Sequence, residues 1–283
     1  MPSQTFDTPG AVRLSLSIPA GRIEVETASA GSTQVELEAL SESARELLRD
    51  TRISARERPG GHEVIVEVPQ RTSFFLGLGR GAQFHLRVVC PEGADLDIRT
   101  KSADAQARGR YGLVDFKTAS GDFSLEEAQD VRVKSASGDV VVETAQGPVQ
   151  VQSASGDVAL QRAAGDVTVQ LVSGDLWIRD AAGSVHANTV SGNQRIDAVT
   201  AGTIEAHAVS GDVLVGVRRG SRVYVDANTI SGSTSSELEL RDAPPDEGAA
   251  EEDEAPMVEL RIKTVSGDVS LVRAAAPAQL PTV

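Results

Sequence analysis

The most constraining feature of this 283-residue chain is a tripeptide that returns at nearly constant spacing. Ser-Gly-Asp starts at Ser120, Ser137, Ser155, Ser173, Ser210 and Ser266, with near copies at Ser102 (Ser-Ala-Asp), Ser191 (Ser-Gly-Asn) and Ser231 (Ser-Gly-Ser). From Ser102 the steps are 18, 17, 18, 18, 18, 19, 21 and 35 residues, the last holding an acidic insertion. A unit this short cannot bury an apolar face alone. It must stack on copies of itself, which is the logic of a solenoid.

Each period reads as two short strands, because its apolar residues alternate with period two. The strand after the Asp carries Phe123 and Leu125, then Val140 and Val142, Val158 and Leu160, Leu176 and Ile178, Val213 and Val215, Val269 and Leu271. The second strand gives one inward column (Val114, Val131, Val149, Val167, Val185, Ile204, Val225, Leu260) and another two residues on (Phe116, Val133, Val151, Val169, Ala187, Ala206, Ala227, Ile262). Between them runs an unconstrained outward column, including Asp115, Arg132, His186, Glu205 and Arg261. A third column before the turn (Ala119, Ala136, Ala154, Val172, Val190, Val209, Ile230, Val265) is expected to point inward for its steady size. Gly147, Gly165, Gly183, Gly202 and Gly220 mark a second corner, expected to use glycine's access to positive φ. The turn ladder is Gly121, Asp122, Gly138, Asp139, Gly156, Asp157, Gly174, Asp175, Gly211, Asp212, Gly267 and Asp268.

The expected fold is therefore all-β: a β-solenoid of roughly nine coils with a repeat of about eighteen residues, about 40–45 Å long at ~4.8 Å per coil. Residues 1–93 are β-rich but irregular and read as an N-terminal cap, with Gly21-Arg22-Ile23-Glu24-Val25 as an early copy of the repeat. Within them 41–50 has helical composition, with Ser43 as candidate N-cap. The solenoid proper is expected over 94–273, the acidic, unpatterned 241–256 as a disordered loop, Met257–Arg273 as the last coil and 274–283 as a flexible tail.

The function classes follow from charge and motif. With 27 basic and 41 acidic residues the formal net charge is −14, which argues against a nucleic-acid partner or adhesion to an anionic membrane. No run is long and apolar enough for an integral membrane segment, no secretory signal is read at the start, and Cys90 has no cysteine to pair with, so the expectation is a cytoplasmic protein.

Stacked aspartates are oxygen ligands of the kind calcium takes. However, the nonapeptide pattern of calcium-binding β-rolls is missing, and Asn193 and Ser233 replace Asp in the ladder as turn formers would. No metal or cofactor is expected. The Ser column has no recurring His or Lys beside it to act as base, so no catalytic residue is assigned. Glu205 is expected to stack on His186, and Trp177 is a candidate sugar-stacking residue. Phe74, Phe75, Leu76 and Leu78, in an arginine-flanked Gly-containing connection, are the candidate partner-contact loop; folding over the solenoid end is the other reading.

The recurring Ser-Gly-Asp-Val-x-Val/Leu with a glycine half a period later, together with the opening Thr5-Phe6-Asp7-Thr8-Pro9, resembles a bacterial β-strand-repeat family. Its members are labelled "putative adhesin" or toast-rack domains. The resemblance covers most of the chain, clearly from about Ala94 to Arg273. It implies a β-solenoid without known catalytic residues and with links to envelope or membrane-stress systems. The expected function is a non-catalytic scaffold for an unidentified protein partner. The alternatives are a filament assembling through open solenoid ends, which would make the chain a homo-oligomer, and a carbohydrate-binding or carbohydrate-active β-helix.

Overall fold

The computed structural model describes residues 3–29, 31–69, 82–238 and 256–274. The expected contact loop Phe74, Phe75, Leu76 and Leu78, nearly all of the acidic insertion and the tail from 275 lie outside the described residues. The chain divides into two compact units, Met1–Gly156 and Asp157–Val283.

The first unit holds β1 (Ser3–Asp7), β2 (Ala11–Ala28), β3 (Ser32–Ala39), α1 (Glu42–Leu47), β4 (Arg52–Arg58), β5 (Gly61–Glu67), β6 (Phe84–Pro91), β7 (Ala94–Ser120), β8 (Phe123–Ser137), β9 (Val140–Ala145) and β10 (Val149–Ser155). The parallel stack is already present in β2. Along one side β2 pairs with β5 (Ala11↔Gly61) and β6 (Gly21↔Phe84), and along the other with β7 (Leu14↔Leu96, Ile23↔Ala105). β7 then pairs with β8, which pairs with β9 and β10, all parallel. Three pairings are antiparallel, β4 on β5, β3 on β6 and β1 on β3, so β3 and β4 run against this direction and β1 runs with it. The helix is short and capped by Ser41, whose Oγ accepts the Ala44 N–H at 3.2 Å, so the cap lies two residues before the expected Ser43.

The second unit holds β11 (Val158–Ala163), β12 (Val167–Ser173), β13 (Leu176–Ala181), β14 (Val185–Ser191), β15 (Gln194–Val199), β16 (Gly202–Ser210), β17 (Val213–Val217), β18 (Arg222–Ser231), β19 (Thr234–Ser236), β20 (Met257–Ser266) and β21 (Val269–Arg273). All its pairings are parallel, in two ladders, one for each strand of the repeat. β11 pairs with β13, then β15, then β17; β12 pairs with β14, then β16. At this point space departs from chain order. β16 and β17 pair not with the next strands but with β20 and β21, and β18 and β19 pair outside those. Among the described residues the coil 257–273, expected as the last, is therefore the penultimate layer, and 222–236 is the outermost. The first unit has the same device, since β5 and β6 lie outside β2 although they follow it in the chain.

The repeat produces this stack because identical coils superpose like side chains. Both inward columns of the second strand are buried from Val114 and Phe116 to Leu260 and Ile262. The exception is β18, where Val225 and Ala227 are only half-buried; among the described residues it has a neighbouring strand on one side only. In the first unit Phe116 and Phe123 stack with centroids 4.5 Å apart. Each buried valine or leucine contributes about 1.5–3 kcal/mol, so the second unit, which buries no aromatic side chain among its described residues, is held by a core that every coil repeats.

Two columns require correction. The third column points outward: Val172, Val190, Val209, Val265 and Ile230 are 53, 49, 50, 45 and 82% exposed, and Ala119, Ala136 and Ala154 are exposed as well. The cause is parity. Positions two apart share a face, so Val167, Val169 and Leu171 point in and Val172 must point out. The inward partner at this level is often a hydroxyl residue, such as Ser153 or Thr189. The second corner also differs. Positive φ occurs there at Gly202 and Gly220 but not at Gly147, Gly165 or Gly183. At Gly147 glycine is needed for room, because a Cβ would sit 2.8 Å from the Gln129 carbonyl oxygen.

Candidate functional site

The Ser-Gly-Asp corner is the most ordered chemical array in the chain, and its carboxylates work on the backbone. In the first unit Asp104 Oδ1 accepts the Asp122 N–H at 3.0 Å and Asp122 Oδ1 accepts the Asp139 N–H at 2.9 Å. In the second unit Asp157 Oδ1 accepts from Asp175 (2.8 Å), Asp175 from Asn193 (2.7 Å), Asn193 from Asp212 (3.0 Å) and Asp212 from Asp268 (2.8 Å). Each side-chain oxygen thus holds the corner N–H of the adjacent coil. Asn193 serves because its amide oxygen accepts as a carboxylate does. Ser233, on the edge coil, only donates: its N–H and Oγ–H both go to Asp268 Oδ1, at 2.7 and 2.9 Å. Those two bonds hold the Asp268 carboxyl below its usual range.

The turn glycines make this approach possible. Gly211 has φ +139, and a Cβ on it would lie 2.1 Å from the Gly192 carbonyl oxygen. Both the conformation and the contact require glycine. Hydroxyls from the inward face complete the corner: Ser135 Oγ donates to the Ser137 carbonyl and Ser153 Oγ to the Ser155 carbonyl, both at 2.8 Å. Their sequence signal is the serine two positions after Val131 and Val133 and after Val149 and Val151. Among the described residues no group of three or more His, Cys, Asp or Glu is placed to hold a metal ion.

The outward column pairs where it can. His186 lies opposite Glu205, and its Nε2 is 2.7 Å from Glu205 Oε2. Arg261, in the next layer by space though not by chain, reaches Glu205 Oε1 at 3.4 Å and Glu259 at 2.7 Å. Trp177 is half-buried, and its indole N–H donates to Asp197 Oδ2 at 2.8 Å, so its polar edge is engaged. The lone thiol, Cys90, is buried, and burial pushes its pKa up to about 12; it is a core side chain.

The feature that departs from a solvated surface is the outward third column. In the second unit the register places Val172 beside Val190, Val190 beside Val209, Val209 beside Val265 and Val265 beside Ile230. Five β-branched side chains, each nearly half exposed or more, form ribs in a row about 20 Å long at the interstrand spacing. The sequence displays this column clearly; its direction is set by parity along the strand and not by its apolar size.

A sequence model of a protein family described as Toastrack DUF4097 matches residues 12–272. No curated protein matches the chain. Solved structures similar to it include a "putative lipid binding protein" from Parabacteroides distasonis, at 12% identity and TM-score 0.41, covering 96% of each chain. Another is a "putative adhesin" from Parabacteroides merdae, at 12% identity and TM-score 0.37, covering 96% of this chain and 95% of the other. A third is a "putative cell adhesion protein" from Clostridium sporogenes, at 10% identity and TM-score 0.30, covering 96% and 99%.

Proposed function

The chain belongs to the Toastrack DUF4097 family, and from that premise we propose that it is a non-catalytic β-solenoid scaffold that binds a protein partner along its row of exposed valines. The observation that carries this reading is the run Val172, Val190, Val209, Val265 and Ile230. Surface apolar residues scattered singly mean little, but a contiguous apolar row rimmed by polar columns marks an interaction surface. Here the row borders the Ser-Gly-Asp corners on one side and residues such as Asn188 on the other. Rigid ribs lose little side-chain entropy on binding, since valine and isoleucine are already restricted at χ1.

A non-catalytic role is supported by what the chemical groups already do. The ladder carboxylates hold backbone N–H groups, and the ladder serines have no recurring base beside them.

The test places a photo-crosslinking residue in turn at Val190, at Val209 and, as control, at the exposed Arg179 on the other strand of the repeat. The proposal expects a discrete protein adduct from the two rib positions and none from Arg179. It also expects Val190→Lys with Val209→Lys to abolish the interaction while leaving the melting temperature within a few degrees. Adducts independent of position, or an interaction unaffected by the double lysine variant, would overturn it.

A further inference from the structure

The chain holds four lysines, and the fold brings three of them to one patch of the first unit. Lys117 lies opposite Lys134 in the β7–β8 register, and Asp115 opposite Arg132. β7 also stacks on itself at an offset of 18 residues: the Leu113 N–H donates to Asp95 Oδ1 at 2.9 Å and the Asp122 N–H to Asp104 Oδ1 at 3.0 Å. That offset sets Arg99 beside Lys117 and Lys101 beside Ala119. Arg99, Lys117 and Lys134 therefore form a column of three cations, flanked by Lys101 and Arg132. Two carboxylates lie among them. Asp97 holds Arg99 and Arg13, each at 3.1 Å, and Asp115 holds Lys117 at 2.8 Å. Lys101, Arg132 and Lys134 are exposed and make no ion pair with any described residue. Like charges set opposite each other destabilise a sheet, so this column is a cost that folding does not recover. Uncharged residues bound it, Ser17 opposite Arg99 and Gln152 opposite Lys134.

We propose that this patch binds an extended acidic segment of a protein partner. Charge and size select that occupant. Three coils place Arg99 and Lys134 about 10 Å apart, the length of about three extended residues, so a run of about four carboxylates matches the column. A nucleic-acid duplex or a bilayer is wider than the patch. Either would bring the rest of a surface carrying a net charge of −14 within the screening distance of its own phosphates. A single acidic peptide meets the patch and little else. Lysine suits such a partner, because its flexible stem lets the ammonium follow a chain without demanding one fixed geometry. The patch lies in the first unit and the rib row in the second, so this proposal stands without the rib reading.

Fluorescence anisotropy of the dye-tagged peptide Ser-Glu-Glu-Glu-Glu-Ser, titrated with the full chain at about 50 mM salt, tests it. The control peptide carries glutamine in place of glutamate. The expected result is saturable binding of the glutamate peptide and none of the control. Lys134→Gln weakens binding about threefold, and Lys101→Glu with Lys134→Glu by about tenfold or more. The reversed double variant gains binding to the lysine counterpart of the peptide, which shows that it folds. Lys263→Glu, at the equivalent position of a coil in the second unit, changes binding by less than about twofold. No binding by the wild type, equal binding of both peptides, or binding indifferent to the Lys134 variants would overturn the proposal. Binding seen only after deletion of 241–255 would assign the patch to the chain's own acidic segment and overturn it too. Tighter binding of a DNA duplex or of phosphatidylserine vesicles, lost in the same variants, would make it a phosphate site and do the same.

Discussion

Asp212 Oδ1 accepts the backbone N–H of Asp268 at 2.8 Å, across 56 residues of chain. The bond is the same as those made across one period elsewhere in the ladder, and it exists because the coil 257–273 is inserted beneath the coil that precedes it in the chain. What the bond requires is an acceptor. Asp212→Asn should therefore be nearly neutral, as Asn193 already does this work. Asp212→Ala should cost about 1 kcal/mol, because the corner is open to water and one bond is lost. Urea denaturation of the two variants distinguishes them.

The edge-facing member of the ladder gives a pH dependence. Hydrogen bonds from the Ser233 N–H and Oγ–H hold the Asp268 pKa below 3.8 in the folded chain. As pH falls, the unfolded chain takes up this proton first, so the group's stabilisation is complete above the unfolded pKa and is lost as pH drops through the lower folded value. Melting temperatures between about pH 5 and pH 2 should fall less steeply in Asp268→Asn than in the wild type.

Glycine's role at the corners separates into conformation and space. Gly156 has φ +113, and a Cβ there would lie 2.2 Å from the Gly138 carbonyl oxygen. Gly156→Val should cost more than about 3 kcal/mol and lower the yield of folded protein. Gly220 has φ +88 with nothing within 4 Å of a Cβ, so Gly220→Ala should cost only about 1 kcal/mol. Thermal melts of the pair measure the difference.

Two valines of the same type test the parity of the strand. Val167 is 1% exposed and Val190 is 49% exposed. Val167→Asp buries an unpaired charge and should cost above about 4 kcal/mol or prevent soluble expression. Val190→Lys should shift stability by no more than about 0.5 kcal/mol. Circular dichroism melts of both variants provide the comparison.

These contrasts mark what the sequence makes legible. The spacing of the Ser-Gly-Asp corners and the alternation of Val167 and Val169 reveal the coil and both inner columns, because stacking like on like leaves a periodic trace. Asp as a turn residue was legible from its replacement by Asn193. The direction of Val172 is also present, in its odd offset from Val167, although its steady apolar size points the other way. The inward hydroxyls, Ser153 among them, are obscured by the same conflict between polarity and parity. The order of the coils leaves no such trace. β16 offers the same hydrogen-bonding edge and the same columns to β18 as to β20, so nothing local decides which coil lies beside it. The length of the connection permits the insertion without encoding it.

The insertion of 257–273 is the central structural claim, and cysteine pairing tests it directly. Ser210 lies opposite Ser266, and Ser266 opposite Ser231. Neighbouring strands are about 4.8 Å apart, within the reach of a disulfide, whereas a separation of two strands exceeds about 7 Å and is beyond it. The native thiol, Cys90, is buried and does not interfere. Oxidation of Ser210→Cys with Ser266→Cys should yield an intramolecular crosslink, read as a gel shift reversed by reductant, while Ser210→Cys with Ser231→Cys should yield none. A crosslink in the second variant and not in the first would mean that the coils stack in chain order, and would contradict the account.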